Sequence, residues 1–320
     1  DVAMEASIDI EFVRDGQKIL YIYVSPVLGT QAAWLDGEVV DFLQPKIPFS
    51  DGYARVIWIP LPREYDAGEH VQIKLQLEGS ILANYDGATW MVRDTDNWMP
   101  SPTPPFSPSS WTLETTMIVP HKFEALAPGE HLDCRPEDEV EGKDCFRFLT
   151  SRPVAAATFG LGKGIRVDKG EAADDDATPV MSYTNPGTKV EFSYFDREGQ
   201  HKLARSYNLS KTSPAMVNKV RACLPVYEEW FGPYPYKKMA LFPNPSGVGR
   251  GFPSLLLLWQ NAYLSKVDQV EIMSRATPYW VDAFVAHETA HQWWGHVAGI
   301  RSSRDQWFSE GFADYASLVY

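Results

Sequence analysis

The chain has 320 residues, of which 44% are hydrophobic and 22% charged, and its formal net charge is −13. This length predicts two domains, and the composition is that of an ordinary soluble globular protein. The absence of a Lys/Arg stripe argues against a nucleic-acid footprint, and no apolar run approaches the roughly 20 residues of a transmembrane segment.

Residues 1–197 are predicted to form an antiparallel β domain, either a sandwich or an open saddle. Short strand-like runs such as KILYIYV and VQIKLQL are separated by Gly, Pro and Asp turns. A Pro/Ser-rich loop interrupts the strands at residues 100–111. The acidic segment 168–179 is predicted to be a solvated loop inside this domain.

The three cysteines bear on the redox compartment. Cys134 and Cys145 flank the acidic, turn-like stretch RPEDEVEGKD, as opposite strands of a hairpin would. A cross-strand disulfide would imply an oxidising compartment, which favours an extracytoplasmic address, periplasmic or secreted. Two unpaired thiols fit the same spacing. Cys223 lies in a helical pattern and is predicted to be a core residue.

Residues 198–320 have a different character, and the whole chain is therefore predicted to be α+β and multidomain. Apolar residues at helical spacing predict an amphipathic helix between Val217 and Phe231. An apolar strand follows at Leu255–Trp259. A buried helix is predicted at residues 279–295, with Gly295 as its stop, and a last helix from near Phe308.

The motif HETAH carries the chemistry. On a helix, His287 and His291 lie four residues apart on one face, so both imidazoles reach one metal ion. Glu288 projects about 100° away, where it reaches a metal-bound water without ligating the ion. These residue types predict a metal site with Glu288 as the catalytic base.

Glu310 supplies a third ligand. Eighteen residues separate it from His291, and it lies in WFSEGFADY at the start of another helical pattern. Requiring Glu at this place lowers the chance rate of the combined motif to under about one in a thousand. Two histidines and one glutamate leave an open fourth position for water, which is the catalytic arrangement for Zn²⁺.

The flanking residues resemble the M1 family of zinc aminopeptidases. HETAHQWWGH followed by RDQWFSEGFADY is similar to the family's zinc motif, and YEEWFGPYPYKKMAL to its approach to the catalytic domain. The resemblance implies an N-terminal β domain at 1–197 and a thermolysin-like zinc-binding subdomain, incomplete here, at 198–320. It implies one zinc per chain and a peptide or protein substrate. Ser309 stands where the family motif usually carries Asn.

The mechanism that this resemblance implies is metal-assisted peptide hydrolysis, with Glu288 moving the proton. Asp314, one turn after Glu310, is a candidate to orient a ligand histidine through its second ring nitrogen. An exposed helix residue with no such role is the alternative for Asp314.

The substrate loop departs from the family pattern. M1 aminopeptidases carry a G-x-M-E-N-like loop whose glutamate binds the substrate's free amine. The counterpart here begins Gly249, Arg250, Gly251 and Phe252, so that Gly251 replaces that glutamate. A cationic amine needs an opposing carboxylate, so aminopeptidase preference is not expected although hydrolysis is.

The chain begins without an initiator Met and stops ten residues after Glu310. The expectation is therefore a piece of a larger enzyme, with the family's oxyanion-stabilising tyrosine beyond Tyr320. A second hypothesis is a catalytically silent M1-like scaffold that acts in protein interaction and retains zinc as a structural ion. The intact Glu288 favours the enzyme, because a structural zinc site does not need it.

Overall fold

The computed structural model describes residues 1–45, 55–84, 87–92, 98–104, 110–169, 178–187, 189–195, 198, 200–245, 247–265, 269, 279–300 and 302–320. Most of the predicted acidic loop at 168–179 and the middle of the predicted Pro/Ser-rich loop lie outside these residues. The described residues are rich in strands, and their α-helices all follow residue 212. This agrees with the predicted α+β class.

The chain divides into two compact units. Unit 1 comprises Asp1–Ala83 and Met91–Ser109, and unit 2 comprises Asn84–Trp90 and Ser110–Tyr320. The predicted domain boundary between residues 197 and 198 falls inside unit 2, and it stays a prediction.

The strands of unit 1 pair antiparallel in two sheets, of order β1-β6-β3-β4 and β2-β5. Alternate residues of β6, from Val71 to Leu77, are buried while the residues between them face outward. Such alternation is what a sheet with one covered face requires. The strands are β1 Val2–Glu11, β2 Gln17–Val24, β3 Leu28–Leu35, β4 Glu38–Val39, β5 Arg55–Tyr65 and β6 His70–Gly79.

The first strands of unit 2 include a disulfide-closed hairpin. β11 and β12 pair antiparallel, and the structure joins Cys134, just past β11, to Cys145 in β12. The sequence left a disulfide and two unpaired thiols as alternatives for these cysteines, and the structure has the disulfide. Strands β7 Leu82–Asn84 and β8 Thr89–Val92 lie where the chain passes between the units. They are followed by β9 Glu114–Pro120, β10 Phe123–Leu126, β11 Glu130–Leu132, β12 Lys143–Leu149 and β13 Gly160–Lys163.

A five-stranded mixed sheet of order β14-β15-β18-β20-β19 positions the functional residues. β20 is parallel to β18 and antiparallel to β19, which lies at the end of the sheet. The run Leu255–Leu258 in β20 is wholly buried, as a strand covered on both faces must be. The bounds of its strands are β14 Arg166–Asp168, β15 Val180–Thr184, β18 Met239–Asn244, β19 Arg250–Phe252 and β20 Leu255–Trp259. The strands β16 Val190–Phe195 and β17 His201–Tyr207 pair with each other in a separate sheet.

Three helices are bounded by described residues: α1 Ser213–Phe231, α2 Trp280–Ala290 and α3 Gln306–Val319. Helix α1 packs on β15 and α2, and α2 in turn contacts β19, β20 and α3. Cys223, on α1, is fully buried in the hydrophobic core, as predicted. Among the described residues, no helix is long and apolar enough to cross a membrane.

The prediction that α2 continues to Gly295 was wrong. The helix ends at Ala290, and His291 caps it while keeping helical dihedral angles. Beyond it the backbone bonds shorten to the three-residue spacing, from Gln292 N to Thr289 O (3.1 Å) and from Trp293 N to Ala290 O. Gly295, with φ 105°, lies among these turns and not at the end of the helix.

Candidate metal centre

Three donor atoms from two helices converge on one point. The Nε2 atoms of His287 and His291 lie 3.1 Å apart, and Glu310 Oε2 lies 3.4 Å and 3.7 Å from them respectively. Helix α2 supplies the histidines from one face, and α3 packs beside it with Glu310 in its second turn. The spacing within the HETAH motif produces the first contact, whereas the helix packing produces the other two.

The second nitrogen of each imidazole faces an oxygen. Asp314 Oδ1 lies 2.8 Å from His287 Nδ1, and the Trp294 carbonyl oxygen lies 3.0 Å from His291 Nδ1. The Ser309 hydroxyl donates to the same carbonyl at 3.0 Å and lies 3.3 Å from His291 Nδ1. Both Nδ1 atoms therefore act as donors, which leaves the Nε2 lone pairs directed at the common point.

This donor set fits Zn²⁺. Tetrahedral ligands at bond lengths of about 2.0–2.2 Å stand roughly 3.3–3.6 Å from one another, close to the three separations found here. Two imidazoles and one carboxylate are also a ligand set of catalytic zinc sites that keep one position open. His287, His291 and Glu310 form a group able to hold a metal ion.

The charges at the centre shape its proton affinities. The hydrogen bond with His287 lowers the pKa of Glu310 to about 2, so this carboxylate is ionised at neutral pH. Burial lowers the pKa of His291, and the neighbouring His287 acts in the same direction. Burial also acts to lower the pKa of His287, but the bond to Glu310 and the nearby carboxylates outweigh it and raise that pKa.

Glu288 lies beside these donors without being one of them. Its side chain is buried, with 6% exposed, and burial raises its pKa to about 7. A carboxyl group that titrates near neutrality is well suited to accept and return a proton. The carboxylate lies against the backbone of Gly249, where an added Cβ would overlap Glu288 Oε1.

Strand β19 brings the predicted substrate loop against α2. A Cβ on Gly251 would lie 2.6 Å from the Glu288 carbonyl oxygen and 2.7 Å from His291 Cβ, so this backbone has no room for any side chain. Arg250 is exposed, and its charge lowers the pKa of Glu288 against the effect of burial. Phe252 is partly buried at the end of the strand.

Sequence reasoning missed Gln292 and His296 at this centre, and it named Ser309 only as a departure from the family motif. Gln292 is fully buried and hydrogen-bonds to the β19–β20 turn, while His296 Nε2 lies 2.5 Å from the Gly251 carbonyl oxygen. A signal was available for Gln292, because a polar side chain in a segment predicted to be buried needs a hydrogen-bond partner. Which partner it has depends on the fold.

Comparison with known proteins finds similarity to M1 peptidases and to aminopeptidases. Residues 215–320 match the family model described as Peptidase family M1 domain. Aminopeptidase O of Mus musculus is 22% identical over 69% of this chain. Endoplasmic reticulum aminopeptidase 2 of Bos taurus is 31% identical over 45% of it. The chain spans 28% and 14% of the lengths of these two proteins.

A solved structure shares the fold. The M1 zinc metallopeptidase from Deinococcus radiodurans superposes with a TM-score of 0.65 at 18% identity, covering 99% of this chain and 65% of that one. A mutant of that enzyme has been solved bound to a Tyr-Ser-Ala substrate, with a TM-score of 0.62. This likeness confirms the predicted fold class, and the family model over residues 215–320 confirms the predicted resemblance to the M1 family.

Proposed function

We propose that this protein hydrolyses peptide bonds as a zinc metallopeptidase, with one zinc ion per chain. His287, His291 and Glu310 would hold the ion, and Glu288 would act as the general base. The observation that carries the proposal is the convergence of three donor atoms within 3.7 Å of one another beside a buried carboxyl group.

When bound, zinc supplies a Lewis acid that polarises the scissile carbonyl and acidifies water. Glu288 takes the proton of the attacking water and passes it to the leaving amine. Its burial supports this role, because a pKa near 7 lets the carboxylate accept a proton and then release it. Asp314 and the Trp294 carbonyl keep the two imidazoles in the tautomer that binds metal.

Strand β19 is the proposed substrate-binding edge. It ends the five-stranded sheet, so an extended peptide can add along its outer edge by backbone hydrogen bonds, beside the Gly251 and Phe252 carbonyls that His296 and Gln292 already bond. The same strand gives no carboxylate at position 251, where the related aminopeptidases bind the free amine. The proposed enzyme therefore has no strong preference for a free N-terminus.

The test of the reaction uses zinc content and activity together. Elemental analysis of protein purified without added metal should give one zinc per chain, and His291→Ala should lose it. Glu288→Gln should keep the zinc while peptide hydrolysis falls by ~10²–10⁴-fold. The control is Glu229→Gln, at an exposed carboxylate on α1. Zinc-loaded wild type that cleaves no peptide would instead favour the silent scaffold.

The amine preference has its own test. Free-amine and N-acetylated forms of the same peptides should be cleaved with comparable kcat/KM. Losing a desolvated charge pair costs roughly 2–5 kcal/mol of binding, which removes most of an exopeptidase's discrimination. A hundredfold preference for the free amine would show that another acidic residue anchors it.

The bridge between Cys134 and Cys145 favours an oxidising, extracytoplasmic compartment for the protein. Mass spectrometry of protein isolated from its source with thiols trapped at lysis should find this pair oxidised. Fully alkylated cysteines at both positions would contradict the compartment without affecting the proposed chemistry.

A further inference from the structure

Two side chains fasten strand β19 to the turns that follow helix α2. They are Gln292 and His296, which stand one and five residues after His291 and are neither metal donors nor the base. Both reach across to β19 or to the turn after it. The strand proposed to receive the peptide is thus tied to the segment that begins at the metal donor His291.

Gln292 binds both sides of the β19–β20 turn. Its Oε1 accepts from Ser254 N at 2.8 Å, and its Nε2 donates to the Phe252 carbonyl at 2.9 Å. The turn needs this support because Ser254 has a φ of 59°, in the left-handed region that disfavours a residue with a Cβ. Ser254 Oγ in turn accepts from Gly129 N at 2.8 Å, which ties the turn to a second loop.

His296 holds the middle of the strand. Its Nε2 lies 2.5 Å from the Gly251 carbonyl oxygen. A carbonyl can only accept, so the proton resides on Nε2 and the ring donates. Gly295 precedes it with a φ of 105°, a backbone conformation that lets the chain turn back towards β19.

The contact that these bonds maintain is unusually close. Gly249 lies on the Glu288 carboxylate and Gly251 on the backbone of Glu288 and on His291, with no side chain between them. Glycine permits this approach but does not enforce it, because it has no side chain to interlock. Directional hydrogen bonds are needed to fix the separation.

We infer that Gln292 and His296 are positioning residues that lock the substrate-binding strand at a fixed distance from Glu288. A peptide paired with β19 would then be presented to the base in one register. This inference rests on the proposed function for its consequence, although the locking itself does not depend on catalysis. A misplacement of about 1 Å is enough to cost about a hundredfold in rate.

The decisive experiment measures amide hydrogen exchange in the zinc-loaded, complete protein without substrate. Gln292→Met and His296→Met each remove the side-chain hydrogen bonds and leave an unbranched apolar side chain in their place. Exchange of the amides between residues 250 and 257 should become about ten- to hundredfold faster. His296→Gln can still donate to the Gly251 carbonyl, so its amides should keep most of the wild-type protection. This variant also tests the bond if His296→Met folds poorly.

The matched control is Tyr227→Phe. Tyr227 of α1 is fully buried and donates to the Ala286 carbonyl of α2 at 3.0 Å. Its loss removes one buried hydrogen bond of similar length from α2. Exchange between residues 250 and 257 should stay within about twofold of wild type.

Kinetics supply the functional readout. In both Met variants, kcat/KM for an extended pentapeptide should fall at least tenfold more than for a single-residue amide, which cannot pair along β19. Unchanged exchange at 250–257 in both variants would overturn the inference whatever the activity. Faster exchange in a protein that never hydrolyses peptides would sustain the lock and reject only the enzyme.

Discussion

Strand β6 of unit 1 and strand β20 of unit 2 bury their residues in different ways. In β6 the buried residues alternate with outward-facing polar ones, whereas Leu255–Leu258 of β20 are all buried. β20 is covered on both faces, and on one side α2 contacts it. The proposed chemistry lies beside the two-sided strand, where burial of Glu288 raises the pKa of its carboxyl group.

The difference suggests why the site lies in unit 2. A one-sided sheet keeps its outward residues in water, where a carboxylate such as Glu5 pairs with Lys74 on the surface. A base that titrates near pH 7 needs burial, and burial needs cover on both faces. Burial also requires that every polar group in the interior has a hydrogen-bond partner and that every apolar group is packed.

Large-to-small substitutions in the two cores should have the largest effects on stability. Leu75→Ala in unit 1 and Leu256→Ala in unit 2 each remove a fully buried side chain. Each should lower the free energy of unfolding by about 2–5 kcal/mol. Chemical denaturation followed with zinc release should show that only Leu256→Ala releases zinc at lower denaturant. Equal shifts in both variants would mean that the two units unfold together, and the comparison would fail.

Gly251→Ala tests the close packing of β19 on α2. The added Cβ would meet backbone and Cβ atoms that cannot rotate away, so the strand must shift. Peptide hydrolysis should fall about a hundredfold, since misplacement of about 1 Å costs that much. The control is Gly299→Ala, which has nothing within 4 Å, and its kcat/KM should remain within twofold. A fully active Gly251→Ala enzyme would show that this contact is not required.

The smallest expected effect concerns a lysine in each unit. Lys238 in unit 2 is buried over the Phe148 ring, and burial lowers its pKa to about 8. Lys238→Met should raise the free energy of unfolding at pH 7 by about 1–3 kcal/mol. Lys74→Met in unit 1, where Lys74 is part-exposed over Trp34, should change it by less than about 0.5 kcal/mol.

The pH dependence fixes the sign of this effect. Between pH 8 and 10.5 the unfolded chain binds a proton at Lys238 that the folded protein has released. Stability therefore rises with pH across that window, and the penalty of burying the charge is complete only below it. The advantage of Lys238→Met should shrink towards zero by pH 10.5 in thermal unfolding. A constant advantage would assign it to packing.

Much of the fold could be predicted because its signals are local. The alternation in VQIKLQL specified β6, and the uninterrupted apolar run specified β20 at Leu255–Trp259. Composition does not determine the residue at which a helix ends. Helix α2 was predicted to end at Gly295, and it ends five residues earlier, at Ala290. The sequence left the pairing of Cys134 and Cys145 open, because spacing permits a bridge but only chain geometry brings two sulfurs together.

The sequence by itself determined the candidate donors, since helical periodicity places His287 and His291 on one face before any tertiary contact forms. Only the tertiary structure decided the rest of the centre. Packing of α3 on α2 brought Glu310 within 3.7 Å of both imidazoles. Packing of β19 on α2 assigned partners to Gln292 and His296. These contacts join residues far apart in sequence, and their geometry depends on how whole elements pack, which no local pattern encodes.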